Sequence, residues 1–300
     1  MTDRIKTYGL PPGGEVLHDF QIYEVKGGEI DNKHYPHKTD RPHRHSYYEV
    51  CVFIDDGGKH EIDFVTYSIQ SNSVHFLSPG QVHRIFRNED YHGYLIVFSS
   101  EFFPLGSTRQ EDPLFYFPFF NNPTMLPILG LDESSFEEIL LIVRQMEKES
   151  RLKQQSHSEI LRTYLQLLLL KCKRHYMWKF AEKQKMNTPD FSQVQQFNML
   201  VEKKFTEHLL IQDYAEMLGT SPAILNRSVK KIIGKTAAEI IVDRLILQAK
   251  RLLIYTDLSN KEIAFSLNYT DPSYFTRTFK KKTGKSPSQF RKELNEKYQH

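Results

Sequence analysis

Two arginines stand in matched surroundings toward the C-terminal end of the chain. Arg227 follows Asn226 and precedes the pair Lys230-Lys231, while Arg277 follows Thr276 and precedes Lys280-Lys281. An arginine fork matches the acceptor edge of guanine, and an asparagine amide matches adenine in the same two-bonded way. Lysines a turn further on suit phosphate oxygens, which set affinity rather than base preference. The chemistry these residue types can do at this spacing is the reading of duplex DNA. The two sets belong to an internal repeat. One copy runs YAEMLGTSPAILNRSVKKIIGKTAAEI from Tyr214, the other IAFSLNYTDPSYFTRTFKKKTGKSPSQF from Ile263. Ala215 matches Ala264 and Leu218 matches Leu267. After a one-residue insertion, Pro222 matches Pro272, Leu225 matches Phe275, Gly234 matches Gly284 and Ile240 matches Phe290.

The elements that must position these side chains follow from the pattern. Each copy reads as a short helix, a turn and a second helix with a basic face. Leu225 with Val229, and Phe275 with Phe279, point inward at the four-residue step. Asn226 and Arg227, or Thr276 and Arg277, are then left on the outer side near the start of the second helix. That is the arrangement of a helix-turn-helix, whose second helix reads base edges with its N-terminal residues. Ser221-Pro222 and Asp271-Pro272 each supply a capping side chain followed by proline at the first helical position. Ser259 with Glu262 forms a capping box. A single helix from Ala238 to Tyr255 would join the units, and at 1.5 Å per residue it spans roughly 27 Å, close to the ~34 Å of one DNA turn. The plainer alternative is a helical bundle whose lysines serve solubility. Recurrence of arginine at the matched outer position argues against it, and helical repeat scaffolds normally need three or more units.

The rest of the chain has a different texture. Between residues 20 and 100, the runs YEVCVFI, HEIDFVTYSI, SVHFL and GYLIVF read as short strands. Turn signals separate them at Asp56-Gly57-Gly58, Ser71-Asn72-Ser73, Pro79-Gly80 and Asn88-Glu89-Asp90. Short strands without intervening helices predict a barrel or sandwich. Some of Phe53, Phe64, Tyr67, Phe76, Phe86, Tyr94 and Phe98 are expected to face its interior. From Ser134 the period becomes helical: Phe136, Ile139, Leu140, Val143 and Met146, then Ile160, Leu161, Tyr164, Leu165, Leu168 and Leu169. Residues 181–190 are polar, contain Pro189 and lack periodicity, which predicts a linker. Residues 196–300 carry 18 Lys/Arg against 11 Asp/Glu, and the remainder 22 against 26. Only the C-terminal part therefore has the charge for a polyanion. The two cysteines, Cys51 and Cys172, supply neither a disulfide framework nor a zinc cluster, and the first ten residues lack a signal peptide's apolar core. No apolar run approaches a membrane span. A cytoplasmic, membrane-free protein is expected.

Residues 195–295 resemble the DNA-binding domain of the AraC/XylS family of bacterial transcription regulators. The second copy carries the resemblance most fully, through Ile263-Ala264, Asn268-Tyr269, Asp271, Ser273-Tyr274-Phe275, Arg277, Phe279-Lys280, Gly284, Ser286-Pro287 and Phe290-Arg291. It departs at Asn268, where glycine is usual, and at Phe290, where tyrosine is common. In the first copy, Ala237 replaces the proline. The resemblance implies base contacts from Ala223, Asn226 and Arg227 in one unit and from Pro272, Ser273, Tyr274, Thr276 and Arg277 in the other. Lys230, Lys231, Lys280 and Lys281 would lie at the backbone. The N-terminal part resembles the cupin-like sensor domain of the same family on His43-x-His45-x-x-x-Glu49, Gly57 and Pro79-x-x-x-His83. In metal-binding cupins those positions hold an ion, and strand alternation puts His43 and His45 on one face. Here His43, His45, Glu49 and His83 are expected to serve an effector pocket without a metal, cofactor or catalytic residue. The helices of 134–180 resemble the family's dimerisation hairpin.

Together these readings predict an α+β chain of two domains. A cupin-like β-barrel (about 15–125) and helical hairpin (134–180) form residues 1–180. A linker follows at 181–191, then an all-α double helix-turn-helix at 192–300. The implied function is a sequence-specific DNA-binding regulator answering to a small-molecule effector. Its expected partners are double-stranded DNA, a second copy bound through 134–180, and RNA polymerase. The competing expectation is a metal-dependent cupin enzyme fused to a DNA-binding module.

Overall fold

The computed structural model describes residues 6–10, 19–26, 40–87, 91–103, 114, 117–120, 126–152, 154–184 and 188–298. From Thr7 onward the described residues fall into two compact units that divide between Lys183 and Gln184. The first contains ten strands: β1 (Thr7–Tyr8), β2 (Phe20–Lys26), β3 (His43–His45), β4 (Tyr48–Phe53), β5 (Gly58–Ile62), β6 (Val65–Ser68), β7 (Ser73–Leu77), β8 (Val82–Arg87), β9 (His92–Phe98) and β10 (Ile128–Gly130). They form two five-stranded sheets, ordered β1-β3-β8-β5-β6 and β10-β7-β4-β9-β2. No ladder joins the two sheets among the described residues, so the expected barrel is open: two sheets packed face to face.

The second sheet is covered on both faces, which explains its unbroken apolar runs. Along β4, Cys51 and Phe53 pack between the sheets with Leu77, Ile85, Tyr91 and Leu95. Their neighbours Val50 and Val52 face the other way, into a larger cluster with Phe76, Tyr94, Ile96 and Phe98. That cluster is closed by α1 (Glu133–Leu152) and α2 (His157–Gln184) through Phe136, Ile139, Val143, Leu161, Leu165, Leu168 and Leu169. Period-two alternation against two apolar layers leaves no polar face to mark the strand. This sorts the aromatics of which some were expected inside. Phe53 and Tyr67 pack on the inter-sheet side, Phe76, Tyr94 and Phe98 on the helical side, and Phe86 is exposed. One correction concerns HEIDFVTYSI, which is two strands, β5 and β6, folded back at Asp63 and Phe64 with φ of 45° and 74°. The two positive φ values make a tight hairpin turn that lacks the usual glycine. The predicted turn at Asn88-Glu89-Asp90 lies outside the described residues.

The second unit is helical: α3 (Thr188–Lys204), a 3-10 turn (Phe205–Glu207), α4 (Ile211–Met217), α5 (Pro222–Ile233), α6 (Ala237–Tyr255), α7 (Asn260–Ser266), α8 (Pro272–Thr283) and α9 (Pro287–Tyr298). Most of the expected linker has helical backbone, since α2 runs to Gln184 and α3 starts at Thr188. A proline in the first turn of a helix breaks no intrahelical bond, so Pro189 is compatible with a helix start. Among the described residues no helix is long and apolar enough to cross a membrane.

Candidate DNA interface and inter-sheet site

The pairs α4–α5 and α7–α8 are built alike. At the turn of the first pair stands Gly219 with φ of 60°, and at the turn of the second Asn268 with φ of 57°. Asparagine is among the few side chains that tolerate this left-handed backbone, so it replaces glycine here without changing the turn. Ser221 caps α5 by accepting from the Ile224 amide at 3.3 Å, and Asp271 caps α8 from the Ser273 and Tyr274 amides at 2.7 and 3.2 Å. Each helix has proline in its first turn and ends on a glycine with φ of 78°, Gly234 or Gly284. Leu225, Val229 and Ile232 bury the inner face of α5, and Phe275 and Phe279 that of α8. What remains outward is Ala223, Arg227 and Lys230 on one helix and Ser273, Tyr274, Arg277, Lys280 and Lys281 on the other. Pro272 and Thr276 are half-buried, and the Thr276 hydroxyl donates to the Pro272 carbonyl at 3.0 Å. The Arg277 side chain, 69% exposed, stands 3.6 Å from the Asp271 carboxylate and 6.0 Å from the Tyr274 ring centroid.

Two of the expected contact residues are engaged within the protein. The Asn226 side-chain oxygen accepts the Ala237 amide at 3.0 Å, satisfying a donor at the start of α6. Lys231 is ion-paired at 2.5 Å with Asp190, which also accepts from Ser228. Both lie where α5 meets its neighbours, Asn226 half-buried and Lys231 exposed but held to Asp190. Arg227 and Lys230 carry the outward chemistry of that unit.

The helix α6 joins the units, and several contacts fix them to it. Asp243 near its middle binds Lys235, just after α5, at 2.8 Å and Lys282 of α8 at 2.9 Å. Burial alone would raise its carboxyl, but the two ammonium groups hold it below the usual carboxylate range. Arg244 grips Glu202 of α3 through Nε and Nη2 at 2.5 and 2.7 Å. Arg291 donates to the carbonyls of Leu253 and Leu258. With 19 residues, α6 is about 28 Å long.

In the first unit, β3 and β8 pair with His43 opposite His83. His43, His45 and His83 are buried, with ligand atoms all within 4.8 Å of one another. Glu49 reaches the group from β4, its Oε2 3.4 Å from His45 Nδ1 and its Oε1 accepting from Cys51 at 3.2 Å. Arg44 and Arg84 alternate to the opposite strand faces, Arg44 bonded to Thr7 and Arg84 to Glu61. Two further histidines extend the cluster. His60 Nε2 lies 3.1 Å from His83 Nδ1, and His60 Nδ1 lies 3.0 Å from His75 Nδ1. Burial lowers His43 to about 4 and His75 to about 3, so these rings are neutral near pH 7. Three imidazoles and a carboxylate are a fitting donor set for a divalent ion. Tetrahedral zinc would need ligand atoms roughly 3.3–3.4 Å apart, a modest rotation from the present spread. An ion held there would supply Lewis acidity or a fixed positive charge to a bound ligand.

Comparison with known proteins bears on these two sites. A family model described as a helix-turn-helix domain matches residues 214–293. The bifunctional transcriptional activator/DNA repair enzyme AdaA of Bacillus subtilis is 36% identical over 103 residues, 34% of this chain and 49% of AdaA. The chain thus spans about half the length of that relative. The transcriptional activator RhaR of Enterobacter sp. (strain 638) is 21% identical over 262 residues, 86% of this chain and 89% of RhaR. Among solved structures, the C-terminal domain of the Geobacillus stearothermophilus response regulator AraT is 31% identical with a TM-score of 0.33, covering 35% of this chain and 85% of that one. The C-terminal part of the chain, residues 214–293, is a helix-turn-helix domain of the AraC type. The long match to RhaR extends over both units, whereas the match to AdaA covers about a third of the chain. The AraC/XylS-like signature found the outward arginines but not the ties within the protein. Asp243 gave no sequence signal, because its partners lie 8 and 39 residues away. His60 and His75 stand outside the cupin-like motif. Only their place in the middle of apolar strand runs marked them.

Proposed function

We propose that the chain is a sequence-specific DNA-binding regulator that answers to a small molecule bound between the sheets of its N-terminal unit. One observation carries the DNA half. Arg227 and Arg277 emerge at equivalent places on two equally capped helices tied to one rod about 28 Å long. Two recognition helices so held can enter successive major grooves from one side of the duplex. Lys230, Lys280 and Lys281 then lie along the phosphates, with Ala223, Pro272, Ser273, Tyr274 and Thr276 near the base edges. Selection of bound fragments from random duplex DNA, followed by footprinting of Arg227→Ala and Arg277→Ala, tests this. The two variants are expected to lose protection at base pairs about one turn apart, and loss at the same base pairs refutes the arrangement.

The effector half rests on His43, His45, Glu49 and His83, which converge between the sheets and offer neutral and anionic hydrogen-bonding groups in an apolar setting. In this reading the site binds and does not catalyse. Binding shifts the population between two presentations of the DNA-reading helices. The converging histidines favour one second reading, a metal-dependent enzyme. Stoichiometric metal in the purified protein, removed by His45→Ala, would bring that reading forward.

Pairing of two copies is proposed through the outer side of α2. Leu161, Leu165 and Leu168 are fully buried against the sheet, so they are core. Leu167, Leu170 and Trp178 are 41%, 49% and 56% exposed on the opposite side, with Leu141 of α1 also open. A helix apolar on both sides is normally covered on both. RNA polymerase is the expected further partner when the protein stands upstream of a promoter.

A further inference from the structure

On β8, alternation sends Arg84 and Phe86 outward, where the Arg84 guanidinium lies 4.7 Å from the Phe86 ring centroid. The same alternation sends His83, Ile85 and Arg87 between the sheets. The Arg87 guanidinium carbon stands 4.8 Å from the ring centroid of Tyr91, itself completely buried. Its charge acts on Cys51, His60 and Tyr91, all sealed from solvent. Yet Nε and Nη2 of Arg87 are closed to solvent and have no hydrogen-bond partner among the described residues.

Those two groups form one edge of the guanidinium, the edge that meets a carboxylate side-on. The chain uses the same edge elsewhere for that purpose. Arg244 holds Glu202 with it at 2.5 and 2.7 Å, and Arg84 holds Glu61 with it at 3.3 and 2.9 Å. At Arg87 the edge is presented between the sheets, and no carboxylate among the described residues meets it. The Tyr91 hydroxyl and Nε2 of His75 are among the other polar atoms in this condition. The Phe53 ring links them, 5.4 Å from Tyr91 and 4.6 Å from His75. Buried donors that give up water normally find a partner, and a cationic one above all. Burial keeps His60 and His75 neutral, so they offer hydrogen bonds and no charge.

We infer that Arg87 anchors the carboxylate group of the effector, with the Tyr91 hydroxyl and His75 as flanking polar contacts. The apolar body of such a ligand packs on Phe53, Ile85 and Leu95. This rests on the proposal that the N-terminal unit is a sensor, and adds the chemical class of what it senses: a small monocarboxylate with a nonpolar body.

The test uses the full-length protein and its thermal unfolding. Butyrate and phenylpropionate are the probes, with butyramide, phenylpropionamide and inorganic phosphate as controls. The wild type is expected to gain several degrees with at least one carboxylate and nothing with its amide, and Arg87→Met is expected to lose that response. Without ligand, Arg87→Met should unfold about 2–8 °C higher than wild type, because two sealed guanidinium donors without a partner among the described residues are removed. Arg87→Lys should retain a weaker carboxylate response, lacking the planar edge. A lower unliganded midpoint for Arg87→Met overturns the inference. So does an amide or phosphate that stabilises as well as the carboxylates, or a carboxylate response that Arg87→Met keeps. The sensor reading fails separately. A carboxylate that stabilises the wild type through Arg87 but leaves affinity for a selected DNA fragment unchanged supports the site and refutes sensing. A neutral molecule that alters DNA affinity equally in wild type and Arg87→Met supports sensing and refutes the anchor.

Discussion

Asn226→Ala distinguishes a residue that reads DNA from one that holds the reading helix in place. Base contact alone predicts a loss of about 1–3 kcal/mol in discrimination at one base pair and little effect on folding. The structure predicts something else. The Ala237 amide, in a completely buried residue, has the Asn226 oxygen as its acceptor at 3.0 Å. Truncation leaves that donor unsatisfied, and the expected cost is about 1–3 kcal/mol of stability. The second copy shows how the cost can be removed. There the position of Ala237 is held by Pro287, which has no amide hydrogen, and the position of Asn226 is held by Thr276. Residue 237 is the first residue of α6, where proline is well tolerated. Asn226→Thr with Ala237→Pro should therefore recover most of the stability lost by Asn226→Thr alone, with a coupling of about 1–2 kcal/mol. Amide exchange at Ala237 is the direct assay, with denaturant unfolding monitored by helical circular dichroism beside it. In Asn226→Ala, Ala237 should exchange roughly 5–150-fold faster, the factor that 1–3 kcal/mol represents. Unchanged exchange and stability, with selectivity lost at one base pair, would falsify the assignment and return Asn226 to the interface.

Other outcomes can be measured on the same protein. Lys280→Ala should weaken binding to all sequences alike and reduce the salt slope by about one unit, whereas Lys231→Ala, already paired with Asp190 at 2.5 Å, should change the slope much less. Leu167→Glu with Leu170→Glu should leave the protein folded and monomeric by sedimentation. Leu165→Glu, in a fully buried position, should prevent folding, and a dimer unaffected by the outer pair refutes the α2 interface. The carboxyls of Asp243, Glu239 and Glu262 are held low, the first against burial by Lys235 and Lys282, the others mainly by the backbone amides of Thr236 and Ser259. A depressed carboxyl contributes fully above its unfolded value near 4 and loses its contribution as pH falls through the folded value. Helical stability should therefore decline on acidification below about pH 4–5, and Asp243→Asn should flatten that decline while lowering stability at pH 7. An unchanged slope refutes the Lys235–Asp243–Lys282 bridge.

The legibility of the fold in the sequence varied with the way each segment is packed. Helices with one wet side, such as α5 and α8, announced their inner residues by period and their starts by Ser221, Asp271 and the prolines after them. The strands of the second sheet showed that they were strands but not which way their side chains point, because both faces are dry. Phe76, Tyr94 and Phe98 were thus assignable to a layer only once α1 and α2 were seen to cover the far side. The same ambiguity affected α2, whose leucines face the core at 161, 165 and 168 and the open side at 167 and 170. The site residues divide along similar lines. Type and spacing identified Arg227, Arg277 and the His43–His45–Glu49–His83 group. They could not identify Arg87, whose meaning depends on which groups fail to meet it. Nor could they show that Asn226 faces inward, although a comparison of the two copies contains the clue. Where the copies differ, they differ in physically linked pairs: Asn226 with Ala237 against Thr276 with Pro287. A donor that exists in one copy is matched by an acceptor there, and where proline removes the donor the acceptor has gone as well. Gly219 against Asn268 follows the same logic within a single residue, since both satisfy one left-handed turn. A duplicated module thus serves as its own control. Differences that change together mark packing constraints. The outward feature the copies keep in common, an arginine one turn into the second helix, marks the surface proposed to meet DNA.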